Sequence, residues 1–182
     1  MRRAGLFLAA VVAGLALAGC YTSEKMLFDE GKAVRPLVLG AQTASNNGSA
    51  DPIEISLGAD GWYAIAASKD SKVTRLMFTP LGGARGRDLM VFVSSLEPFG
   101  YIYGLTERRD GKILLDLPTC EPGPAREAAV AHYGVAPARN EVGAACTFLY
   151  PEDVEAALVD YAERKDVRRD YMTLTAAAEP AR

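Results

Sequence analysis

His132 is the single histidine of this chain, so it bounds the chemistry at once. Any Ser-His-Asp device or imidazole-based metal site must use it. It lies in an Ala-rich stretch, one position before Tyr133, and reads as an ordinary helix residue. Ser94 and Ser95 lack the Gly-x-Ser-x-Gly setting of a nucleophile elbow. Zinc needs three or four good ligands, and one histidine with three cysteines does not supply them, so no metal site is expected. Ser68-Lys69-Asp70-Ser71-Lys72 invites a Ser/Lys nucleophile, but Ser68 and Lys72 are one residue too far apart for Ser-x-x-Lys, and a polar turn is the expectation. Gly82-Gly83-Ala84-Arg85-Gly86-Arg87 would offer backbone amides and guanidinium groups to a phosphate or carboxylate. It lacks the Gly-Lys-Ser/Thr ending of a P-loop, so Arg85 and Arg87 are candidates for an anion or partner contact only. Asp60, Asp88, Asp110 and Asp116 are spread through turns and strand ends, and a glycosidase-like pair would require two of them to meet in space. Tyr101 and Tyr103 share a strand face and are candidates to line a groove for peptide or glycan. No catalytic constellation emerges, and no dissociable cofactor is implied.

Composition narrows the class. The chain has 182 residues, a formal net charge of −3, 49% apolar and 24% charged residues. The length suits one ordinary domain. The charge balance excludes a strongly basic nucleic-acid binder, and the apolar content argues against wholesale disorder.

The N-terminus reads as an address. Arg2 and Arg3 precede Ala4 to Ala18, an apolar stretch broken only by Gly5 and Gly14. It falls short of the ~20 residues of a transmembrane helix and has the charge pattern of a secretory signal peptide. It ends in Leu17-Ala18-Gly19-Cys20, which resembles the bacterial lipobox. That resemblance implies cleavage after Gly19, a covalent lipid on Cys20 and stable anchoring to a membrane. Tyr21 rather than aspartate after the cysteine implies, by the same resemblance, the periplasmic face of the outer membrane. Removing residues 1–19 takes Arg2 and Arg3 from the 20 basic residues, leaving 18 against 23 acidic ones, a net of −5.

Cys120 and Cys146 remain, separated by 25 residues. In an oxidising compartment two such cysteines are expected to pair. Redox-active pairs use the closer Cys-x-x-Cys spacing. The segment Tyr21-Thr22-Ser23-Glu24-Lys25-Met26-Leu27-Phe28 and the run Cys146-Thr147-Phe148 before Pro151 are similar to those of some uncharacterised proteobacterial envelope lipoproteins. That resemblance implies an envelope lipoprotein with a sheet-forming domain and assigns no catalytic residue.

The elements that must position these residues are mostly strands. Residues 1–19 are the signal peptide; 20–52 are the lipidated N-terminus and a tether, with an edge strand at Val34–Leu39 and a Ser/Asn/Gly-rich loop at Ala41–Asp51. Residues 53–175 form one globular domain, and 176–182 a frayed tail. From Ile53 turn signals recur every eight to twelve residues. Ile53–Leu57 and Trp62–Ala67 flank Ala59-Asp60-Gly61. Val73–Thr79 and Asp88–Ser94 follow. Tyr101–Glu107 and Lys112–Leu117 flank Arg109-Asp110-Gly111, whose Asp-Gly favours a type I′ hairpin turn. Connections this short demand antiparallel neighbours. Trp62 and Tyr63, being adjacent, must face opposite sides. A helix is expected over Ala125–Tyr133. A second starts at Pro151-Glu152-Asp153, with Val154, Ala157, Leu158 and Tyr161 on one face and Arg164 and Lys165 in its last turn. Tyr171–Thr175 is a last strand. The expected fold class is α+β: a mostly antiparallel sheet of about six to eight strands, either open or curved and barrel-like, with one or two helices in the C-terminal third.

Three functions compete on this basis. The first is a non-enzymatic envelope lipoprotein, a binding or accessory module with a protein or glycan partner and no nucleic acid. The second is a small-ligand carrier with an apolar cavity of several hundred cubic ångströms (on the order of those that ligand sites show) inside a curved sheet or barrel, which a filled core would exclude. The third is a hydrolase using two acids brought within about 10 Å of each other.

Overall fold

The computed structural model describes residues 21–46, 48–67, 73–82, 88–96, 100–118, 120, 136–140, 143–164 and 172–176. Asp110 and Gly111 both take positive φ, 51° and 71°, between paired Arg109 and Lys112. This is the type I′ geometry that Asp-Gly favours. Asn46 pairs with Ser49, leaving a two-residue connection in which Gly48 has φ 83°. The stretch expected as a loop at Ala41–Asp51 is therefore mostly a hairpin. Its Ser, Asn and Gly content misleads because Ala44 packs inward while short polar residues occupy the solvent side of a strand paired on both edges.

In chain order the strands are β1 (Tyr21–Ser23), β2 (Gly40–Asn46), β3 (Ser49–Leu57), β4 (Tyr63–Ala66), β5 (Thr74–Pro80), β6 (Asp88–Leu96), β7 (Gly100–Arg109), β8 (Lys112–Asp116), β9 (Ala136–Asn140), β10 (Gly143–Thr147) and β11 (Met172–Ala176). Helix α1 spans Pro151–Glu163, and a 3-10 turn spans Glu30–Lys32. Strands β2 to β8 form an antiparallel meander in which β6 pairs with both β5 and β7. The last strand, β11, inserts between β8 and β2 and closes the ring. The result is an eight-stranded antiparallel barrel with one described C-terminal helix. The expected α+β class holds, and the sheet is closed rather than open. Beyond the stretch of β7 that pairs with β8, its same edge carries β1, which runs parallel to β10; β9 completes this short flange.

Alternation along the strands divides the apolar residues into two cores. Ile53, Ile55, Tyr63, Ile65, Leu76, Phe78, Phe92, Ile113, Leu115 and Leu174 point into the barrel. Met77, Leu89, Val91, Val93, Tyr103 and Leu105 point outward from β5–β7 and are covered by α1 through Val154, Ala157, Leu158 and Ala162. Trp62 belongs to the outer core and Tyr63 to the inner one, as their adjacency requires. Pro151 opens α1, and Arg164 is its C-cap. Tyr161, on the predicted apolar face, is half-buried, and its hydroxyl donates to Asp116 at 2.9 Å.

Residues 21–39 are not a tether. Tyr21 is buried in β1 with its ring 5.0 Å from that of Phe148, and Phe148 N–H donates to Thr22 O at 2.8 Å. Phe28 packs edge-on against Tyr103 at 5.5 Å. Glu30 accepts from Trp62 Nε1 at 3.0 Å, and Val34 N–H donates to Phe78 O at 2.8 Å. The segment laces across the outer face and turns Leu37 into the inner core. Val34–Leu39, expected as an edge strand, makes only the single Val34–Phe78 bridge. The helix expected at Ala125–Tyr133 lies outside the described residues.

Candidate functional site

The two ends of the barrel differ. At the end carrying the β3–β4 and β7–β8 turns, Tyr63 and Phe78 meet edge to face at 5.7 Å. The Tyr63 hydroxyl donates to Leu37 O at 3.3 Å, which fixes Leu37 beneath them. Large rings close this end. At the other end the inward positions carry smaller or unbranched side chains: Ala44 on β2, Ser94 on β6, Thr74 on β5 and Met172 on β11. They leave a cavity of about 60 Å³, well short of the volume expected of a carrier. One water needs roughly 10–15 Å³ measured in this way, so the space corresponds to about four to six waters.

Ten of the twelve lining residues are apolar, among them Ile53, Ile65, Phe92, Ile102, Leu115 and Leu174. The other two are Ser94 and Thr74, diagonal neighbours on adjacent strands, because Leu76 stands opposite Ser94 and Thr74 lies two residues before it. Phe92 forms the floor and is held there by Gly104 opposite it. A Cβ at Gly104 would overlap the Phe92 ring and come within 2.7 Å of Asp116 O. Among the described residues no charged side chain lines the cavity. A water inside would find too few polar partners to be well held, whereas a small apolar molecule would meet aliphatic and aromatic walls.

The residues that the sequence singles out lie elsewhere. Tyr103 is fully buried, and Tyr101 is packed against the outer core, so the expected groove is not open. The reason is local: the Tyr103 hydroxyl lies 2.6 Å from Ser23 Oγ and accepts from Leu27 N–H at 3.2 Å, which seals the N-terminal segment over it. Burial pushes the Tyr103 phenol above its ordinary pKa, although its bonds to Ser23 and Leu27 act the other way. The Tyr63 phenol is raised for the same first reason, against the Leu37 bond. Arg85, Arg87, Cys20, His132 and Ser68–Lys72 lie outside the described residues. Cys120 and Cys146 meet sulfur to sulfur in the outer core, their Cα atoms 5.6 Å apart, within the span of a disulfide.

The acids serve the fold. Asp60 accepts from Trp62 N–H at 3.1 Å and pairs with Arg75, whose guanidinium also lies 5.1 Å over the Trp62 ring. Asp88 pairs with Arg108 at 3.4 Å. Asp116 and Glu107 are buried diagonal neighbours on the outer face of β7–β8. Tyr161 holds the first, and Arg109 binds the second at 2.7 Å and 3.2 Å. Among the described residues no group of three His, Cys, Asp or Glu side chains could hold a metal ion, and no helix is long and apolar enough to cross a membrane. Comparison with protein-family models, curated proteins and solved structures returns no match.

The cavity is what sequence reasoning leaves unlocated. Its signal is faint but present: along β6 the alternation Met90, Phe92, Ser94 replaces a large inward residue by a small polar one at one end only.

Proposed function

We propose that this chain is a non-enzymatic binding protein of the bacterial envelope, anchored through a lipid on Cys20, whose barrel holds one small apolar ligand. The observation that carries the reading is the apolar cavity at one end of the closed barrel, with the other end sealed by Tyr63, Phe78 and Leu37. Eight strands enclose an interior just wide enough for side chains or for one small ligand. Here side chains close one end and leave a cavity of about 60 Å³ toward the other. The enclosed space is smaller than the ~150 Å³ that takes up a whole benzene ring, so a ring or short alkyl segment would enter in part and reach out through the open end, with transfer from water favoured by roughly 25 cal/mol per Å² of apolar surface. The lipid anchor is supported by the lipobox sequence.

The test is a titration of the purified full-length protein with toluene, followed by the thermal midpoint. Saturable stabilisation is expected, since a ligand that binds only the folded state adds about 2.7 kcal/mol at a hundredfold excess over Kd. Leu115→Trp, which places a large side chain in the cavity, should remove the effect. No toluene-dependent shift, or an equal shift in Leu115→Trp, would overturn the proposal.

A further inference from the structure

Ser94 is 6% exposed, and its Oγ is buried without a hydrogen-bond partner. Unmade hydrogen bonds of this kind are costly, because the hydroxyl has given up water and gained nothing. Two other side-chain atoms share that condition among the described residues, Asn46 Oδ1 and Thr106 Oγ1, but neither residue lines the cavity. Ser94 does. Its inward-facing neighbours across the ladders are Leu76 and Ile102, which offer no side-chain acceptor or donor. No protein group in the barrel wall therefore uses the hydroxyl.

We infer that the barrel's ligand is a neutral amphiphile, an apolar body carrying one uncharged hydrogen-bonding group that pairs with Ser94 Oγ. This rests on the cavity being a ligand site. Rotation about χ1 between staggered positions turns the hydroxyl from the wall toward the cavity. A serine hydroxyl can donate or accept, so an alcohol, phenol or carbonyl group would satisfy it. Thr74, diagonal to Ser94 and also lining the cavity, places a second hydroxyl-bearing side chain on the same wall. A carboxylate or ammonium head does not fit. Among the described residues no charged side chain lines the space to compensate it, and burying an unpaired ion costs far more than one hydrogen bond returns.

Phenol and toluene are nearly equal in size and differ by the hydroxyl, so they separate the two levels of the proposal. Each is titrated into wild type, Ser94→Ala and Thr106→Val. Ser94→Ala should fold at least as stably as wild type without ligand. It should weaken phenol about 2- to 12-fold, the equivalent of one net hydrogen bond, and leave toluene unchanged or slightly tighter. Thr106→Val should change neither affinity. If neither compound binds wild type, the cavity reading itself fails. If both bind wild type and the phenol-to-toluene ratio is the same in Ser94→Ala, the cavity stands and the role of Ser94 is wrong. A charged analogue, benzoate, should bind wild type at least tenfold more weakly than phenol; equal binding would overturn the neutral-ligand assignment.

Discussion

Replacing Tyr103 by phenylalanine removes one oxygen atom and tests whether the N-terminal segment belongs to the fold. The ring is fully buried and would keep its edge contact with Phe28. The hydroxyl is the centre of a small relay. Leu27 N–H donates to it at 3.2 Å, it lies 2.6 Å from Ser23 Oγ, and Ser23 Oγ itself donates to Lys25 O. Without the oxygen, Leu27 N–H loses its acceptor and Ser23 Oγ loses a neighbour. Leaving a buried donor unmatched costs about 1–3 kcal/mol. For a chain of this size each kcal/mol moves the midpoint by roughly 2–4 °C, so Tyr103→Phe should melt roughly 2–12 °C lower. Trp62, the only tryptophan, packs in the same outer core and reports urea unfolding by fluorescence. The slope against urea should be unchanged while the midpoint falls. Hydrogen exchange should show the Leu27 amide losing protection more than amides of β5 or β6. A stability loss below about 0.5 kcal/mol with an unchanged Leu27 amide would mean that residues 21–39 hang loosely after all.

Alkaline pH gives a related outcome. Tyr63 and Tyr103 hold their protons more tightly in the fold than the unfolded value of about 10. Their contribution is complete below that pH and is lost as pH rises through the folded values. Urea midpoints should therefore fall above about pH 10, and less steeply in Tyr103→Phe; parallel curves would contradict the assignment. The bridge between Cys120 and Cys146 closes a loop worth roughly 3–4 kcal/mol on chain-entropy grounds. Cys120→Ser/Cys146→Ser should melt lower than wild type under oxidising conditions and match it in reductant, while equal melting of wild type with and without reductant would refute the bridge. Gly104→Ala forces the Phe92 ring off its seat and should cost about 1–3 kcal/mol by urea denaturation. Adding Phe92→Leu should recover part of the loss; no recovery would place the strain elsewhere.

Much of the barrel can be read in the residues. Asp110-Gly111 specifies its turn because both positions take positive φ, and two-residue period patterns mark β3 to β8. Pro151 and the Val154, Ala157, Leu158 face mark α1. Three things are not legible. The hairpin at Asn46–Ser49 hides behind loop-like composition, since polar residues on the solvent face of a strand look the same as a linker. Closure depends on β11 reaching back to β2, a pairing over 120 residues that no local pattern records. The packing of residues 21–39 hangs on isolated contacts, Tyr21 with Phe148, Phe28 with Tyr103 and Leu37 with Tyr63, which have no periodicity. The cavity shares this difficulty. It exists because Ala44, Thr74, Ser94 and Met172, on four separate strands, converge at one end of the barrel, and only the strand pairing brings them together.

Strand pairing at Tyr21 sets a mechanical limit. A leash of residues 20–52 would let the domain wander on the order of 100 Å from its attachment point at ~3.4 Å per extended residue. With Tyr21 already locked between β7 and β10, the proposed lipid on Cys20 leaves slack of about one residue. The barrel would then ride on the bilayer surface with little freedom to swing. Its encounters would be confined to molecules that move in the membrane plane or come down to it.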